Sequence, residues 1–153
     1  MSEVRRIRSQ LRRAFEGEAW HGPSVKELLA GVTAAQAAAK PLPGAHSIWE
    51  LVLHISAWEK VARRRLAGEA AELSKEEDWP PVRDTSEAAW GQTLQEMEQA
   101  HQELREAVGQ LDEARLDEIV PGTQYSVYFL LHGVIQHDLY HAGQIALLKK
   151  AQQ

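Results

Sequence analysis

The chain has 153 residues, 44% of them hydrophobic and 25% charged, with a net charge of -5. That length and balance read as one globular unit and exclude a disordered, collagen-like or membrane-embedded chain. The absence of cysteine excludes disulfides, thiolate-held zinc or iron–sulfur centres and a cysteine nucleophile.

Val4, Ile7, Leu11 and Phe15 recur at steps of three and four, which predicts a first helix over about residues 2–16, with five arginines on its other sides. Those arginines are expected to form a solvated face that pairs with acidic helices, the third helix and its end above all, in preference to binding a polyanion. The N-terminal stretch lacks the apolar run of a signal peptide. No later window approaches the roughly 18 apolar residues of a membrane helix, so a cytoplasmic location is expected. After a break at residues 17–23, Ser24 reads as the cap of a short helix over Val25–Leu29, and the KPLPG run at residues 40–44 ends that region.

Over residues 46–66 the helical period returns through Ile48, Leu51, Ile55, Trp58, Ala62 and Leu66, with Ser47 and Glu50 forming a capping box. Residues 68–86, rich in acids and containing Trp79, Pro80 and Pro81, read as a long crossing loop that covers a pocket mouth. Trp90, Leu94, Met97, His101, Leu104, Val108 and Leu111 then alternate steps of four and three, the seam of a helix in a bundle. A last helix over residues 126–150 gathers Val127, Leu130, Leu131, Val134, His137, His141, Ile145 and Leu148 on one face. Four long amphipathic helices without strand alternation point to an all-α four-helix bundle.

His137 and His141 stand four apart, about 40° on a helical wheel, so both imidazoles reach one ion from the same side. Their neighbours on that face are apolar, and a shared metal satisfies two buried ring nitrogens at once; the alternative is a pair of core histidines bonded to backbone or water. His54 lies within about 60° of Leu51 and Trp58 on its wheel and supplies a third nitrogen, a set that leaves metal positions open for water or substrate. Asp138, in HDLYH at residues 137–141, invites comparison with the zincin base but points about 100° from His137. It reads as solvated or helix-packing. His101 reads first as a core residue, with second-shell partner or fourth ligand as alternatives. Trp20, Trp58, Trp79 and Tyr140 are candidates to shape an apolar pocket, and Glu50, Glu59 and Gln144 to orient an imidazole.

The segment HSIWELVLHISAWE at residues 46–59, together with QHDLYHAGQI at 136–145 and WHGPS at 20–24, closely resembles the paired signatures of the DinB-like (YfiT-like) superfamily, the small damage-inducible helical family. The resemblance implies one domain over residues 1–153, a left-handed bundle of up-down-down-up topology, and one divalent metal on His54, His137 and His141. It also implies a metal-dependent transferase with a low-molecular-weight thiol as cosubstrate, the thiol this cysteine-free chain lacks.

Three neutral imidazoles suit Zn, Ni, Co, Cu and Fe about equally, with Zn or Ni the first expectation and Fe, Co or Mn compatible, and leave the ion enough charge to lower the pKa of a bound water or thiol. The expected function is thus a metal-dependent transferase or hydrolase acting on a small molecule, with no nucleic-acid or membrane partner and with a homodimer compatible. The competing expectation is a non-catalytic bundle whose metal is structural and whose surface serves oligomerisation or a protein partner.

Overall fold

Each of the seven α-helices opens on a serine or threonine whose side-chain oxygen accepts a backbone N–H three residues further on. The computed structural model describes residues 1–153. Its long helices are α1 (Glu3–Phe15), α4 (Ile48–Leu66), α6 (Glu87–Gly109) and α7 (Val127–Lys150). Three short helices, α2 (Val25–Leu29), α3 (Ala34–Ala38) and α5 (Lys75–Asp78), lie in the connections, with a 3₁₀ turn over Glu113–Asp117 before α7. There is no strand, and no helix is long and apolar enough to cross a membrane.

Ser47 and Glu50 form the expected capping box at the start of α4, and Ser126 caps α7. Two features depart from the sequence reading. α3 opens on a capping box of Thr33 and Gln36 in a stretch with no long period. The crossing connection contains α5, nucleated by a capping box of Ser74 and Glu77, the reciprocal pair that satisfies two N–H groups at a helix start. The α1 arginines find acids close by in the chain: Arg6 pairs with Glu3, and Arg12 with Glu18 at 2.6 Å.

α1 packs against α6 and α7, and α4 packs against the same two. Paired residues ascend together in α4 and α6, where Trp49 meets Trp90, Glu59 meets His101 and Arg63 meets Glu103. They run in opposite senses along α4 and the chain of α7, where His54 meets His137 and Arg65 meets Tyr125, two residues before α7 begins. Apolar side chains fill two separate clusters. One contains Phe15, Ile48, Ile55, Trp90, Met97 and Ile145, the other Ile7, Leu11, Leu66, Leu104, Val108 and Leu131.

Between the clusters lies a polar layer built from the middle of the long helices. On α4 it falls between Ile55 and Ala62, on α6 between Met97 and Leu104, and on α7 between Ile135 and Ala142. The residues at those levels are Glu59, His101 and Asp138, all buried, with the histidine set alongside.

Candidate metal centre

His54 lies two turns into α4, in register from the Ser47 cap, and α7 brings His137 and His141 up to it one turn apart. The His137 Nε2 stands 3.0 Å from His54 Nε2 and 3.1 Å from His141 Nε2. His54 is 6% and His141 5% exposed, with His137 half-buried.

The bonds on the far side of each ring decide what those nitrogens can do. His54 Nδ1 donates to the carbonyl oxygen of Asp78 at 2.7 Å, with Asp78 Oδ1 at 3.0 Å, and His141 Nδ1 donates to Gln144 Oε1 at 2.6 Å. An oxygen of this kind only accepts, so Nδ1 carries the proton in both rings and Nε2 presents a bare lone pair. His137 Nε2 faces two lone pairs with at most one N–H. Hydrogen bonding therefore cannot satisfy the trio, whereas a divalent ion would. Imidazole nitrogens at about 2.1 Å from one centre and at right angles stand about 3.0 Å apart, as these do.

Burial, with the neighbouring His141 and His54, holds His137 down at about 3, and burial lowers His141, with the Gln144 bond opposing. At neutral pH both are unprotonated, the form a metal needs. Trp79, one residue beyond α5, stacks flat on His54 with ring centroids 3.8 Å apart, and His46 closes its other face at 3.6 Å. Asp78 also accepts from Trp58 Nε1 at 2.7 Å. The crossing connection is thus fastened over the centre, as the placement of Trp79 anticipates.

His101 is not a fourth member. Its Nδ1 faces Glu59 Oε1 at 2.8 Å, and its ring stacks on Phe15. Asp138 is not solvated; it is 0% exposed and forms a second buried group with Glu59 and His101. Burial raises Glu59 to about 8 and Asp138 well above the carboxylate range, the latter with help from the Glu59 charge. Burial, aided by Arg105, lowers His101 to about 3. Both buried groups are compatible with metal binding.

Of the candidates to orient an imidazole, Gln144 does so. Glu50 is engaged in its capping box and with Lys40, and Glu59 contacts His101. Asp78 is the functional neighbour that helical periodicity missed, because it sits in a four-residue helix. The S-x-x-E pattern of Ser74 and Glu77 was the available signal. Among the pocket candidates, Trp58 and Trp79 surround the centre. Trp20 is fully exposed, and Tyr140 turns outward, 67% exposed, with its ring beside His141.

A cavity of about 270 Å³ reaches His137, lined chiefly by Trp58, Tyr125, Phe129, Leu130 and Val134, with Arg65 in its wall. The broader cleft of about 620 Å³ between the ends of α4 and α6 is charged and touches none of the three histidines.

Three clustered imidazoles, two buried and one half-buried, between long helices and beside an apolar cavity, define a helical protein with a compact nitrogen-donor centre. The chain belongs to the DinB superfamily, whose family model matches residues 20–145 and so spans His54, His137 and His141. No curated protein and no solved structure matches it.

Proposed function

We propose that this protein is a metal-dependent enzyme holding one divalent ion, Zn or Ni in first place, on His54, His137 and His141. The observation that carries the reading is the convergence of three Nε2 atoms whose hydrogen-bonding needs cannot be met among themselves. The parallel residue pairs of α4 and α6 and the opposed pairs of α4 and α7 support the up-down-down-up order expected of the family.

A divalent ion there supplies Lewis acidity, lowering the pKa of a small-molecule thiol or a water brought to it. The rest of the work falls to the chain. Asp78 and Gln144 fix the tautomers and aim the rings, and Trp79 excludes water from the His54 face. The cavity beside His137 receives the acceptor substrate. Transfer to a low-molecular-weight thiol fits a chain without cysteine, and hydrolysis by water is the related reaction of the same centre.

Elemental analysis of untagged protein, prepared without chelator or nickel resin, tests the reading. We expect about one metal per chain in the wild type and little in His137→Ala. Failure of the wild type to carry metal, and to take up added Zn or Ni, would overturn it.

A further inference from the structure

Three arginines follow one another at the end of α4, and their environments differ in an unexpected direction. Arg63 and Arg64, whose side chains are about half exposed, pair with Glu103 at 3.3 Å and Glu69 at 2.8 Å. Arg65, only 8% exposed, pairs with no carboxylate. A buried cation needs a counter-charge more than an exposed one does, because water no longer screens or solvates it. Arg65 Nε donates to the Ala71 carbonyl at 2.9 Å, Nη1 donates to the Tyr125 hydroxyl at 2.6 Å, and the guanidinium carbon lies 5.8 Å from the Trp58 ring centre. These contacts steady the side chain, but none is an anion.

Two donors remain. Arg65 Nη2 makes no bond to the protein, and the Tyr125 hydroxyl, having accepted from Arg65, has no acceptor for its own hydrogen. Both residues line the cavity that reaches His137. Because α4 and α7 run in opposite senses, Arg65 and Tyr125 mark one end of the shared groove, and Trp58 and His137 lie toward the metal centre.

Gly133 adds an independent observation. It sits inside α7, where glycine costs about 1 kcal/mol relative to alanine. A Cβ built there would meet no atom within 4 Å, so packing does not demand glycine. It lines the same cavity. A helix glycine with open space above it leaves backbone exposed for the close approach of a ligand.

We propose that this cavity binds a small organic acid, its carboxylate on Arg65 and Tyr125 and its apolar body over Gly133 between Trp58 and Val134, with its far end at the metal centre. The inference rests on the proposed function for its reactive end, and adds the substrate class. The Tyr125 hydroxyl lies 2.6 Å from Arg65 Nη1, so a carboxylate reaching the polar end of this otherwise apolar cavity would meet both residues. The chain's mild acidity does not select anions in general, so the selection is local to Arg65.

The test compares 4-phenylbutyrate with 4-phenylbutan-1-ol, one body with and without the charge, titrated calorimetrically into metal-loaded and chelator-treated protein. The acid is expected to bind at least tenfold more tightly than the alcohol in both preparations. Arg65→Met should bring the acid to the level of the alcohol, Tyr125→Phe should weaken the acid alone, and Gly133→Leu should weaken both probes at least tenfold. Should Arg65→Met fail to fold, the other two variants decide.

Equal affinities in the wild type, absence of binding, or an acid preference that vanishes on chelation would overturn the proposal. Wild-type acid affinity in both Tyr125→Phe and Gly133→Leu would do the same. A chain that binds metal yet does not distinguish the probes sinks this inference alone. One that keeps the preference but takes up no metal sinks the proposed function instead.

Discussion

At the scale of single residues, burial decides which protons the protein keeps. Glu59 has no exposure, and burial raises its carboxyl to about 8 against an ordinary value of 4.5, with a hydrogen bond to Asp138 opposing. Between those values the folded chain holds a proton that the unfolded chain has lost, so stability falls as pH rises. The contribution is fully present below about 4.5 and is gone once pH passes 8. Glu59 should therefore take up to about 1.4 kcal/mol per pH unit from chelator-treated wild type between pH 6 and 8 in urea unfolding, with buried Asp138 adding a slope of the same sign. Glu59→Gln, neutral and of the same shape, should make that slope shallower while changing stability at pH 6 by about 1 kcal/mol or less. A wild-type profile already flat over this window would contradict the assignment. His101 acts with the opposite sign. Held at about 3 instead of 6.5, it favours the folded state above 6.5 and withdraws that support as pH falls toward 3.

At the scale of elements, the short helix α5 governs access to the centre although it buries none of its own residues. It places the Asp78 carbonyl on His54 and carries Trp79 onto the same ring. Trp79→Ala removes the stacked cover and leaves the three Nε2 donors intact. Metal extraction by excess chelator should then accelerate at least tenfold, while metal content at equilibrium stays near the wild-type level. An unchanged rate would show that Trp79 is packing only.

The same comparison explains what was legible in the sequence. His54, His137 and His141 were readable because two long helices with clear caps fix their faces, and helix period converts spacing into direction. Trp79 was readable as a cover because a large aromatic in a polar, proline-rich connection has to pack back. Asp78 was not, since four residues carry no period. Asp138 was legible only as solvated or helix-packing, and the structure settles on packing, because its wheel angle shows only that it leaves the His137 side. Whether that direction meets solvent or a neighbouring helix depends on α6, which supplies His101 opposite it. Nor does wheel position reveal that Trp20, in a tight turn with Gly22 at φ 131°, points wholly into solvent.

At the scale of the whole molecule, the two apolar clusters are separated by the polar layer, and neither includes the three clustered histidines. Those histidines come from α4 and α7, and Arg65 of α4 also meets Tyr125 just before α7. Metal-free protein should therefore stay folded, in contrast to small domains in which ligation is itself the folding energy. Binding to the native state alone contributes RT ln(1 + [M]/Kd), about 2.7 kcal/mol at a hundredfold excess over Kd. For a chain of this size that corresponds to a shift of roughly 5–11 °C in Tm. Removal of metal is expected to lower Tm by that amount, with far-UV circular dichroism unchanged at 25 °C. Loss of helical signal on chelation would make the ion structural and favour the non-catalytic alternative. A shift that also disappears in His137→Ala, with the folded baseline preserved, would place the stabilisation at this centre and not in the Glu59, His101 and Asp138 group.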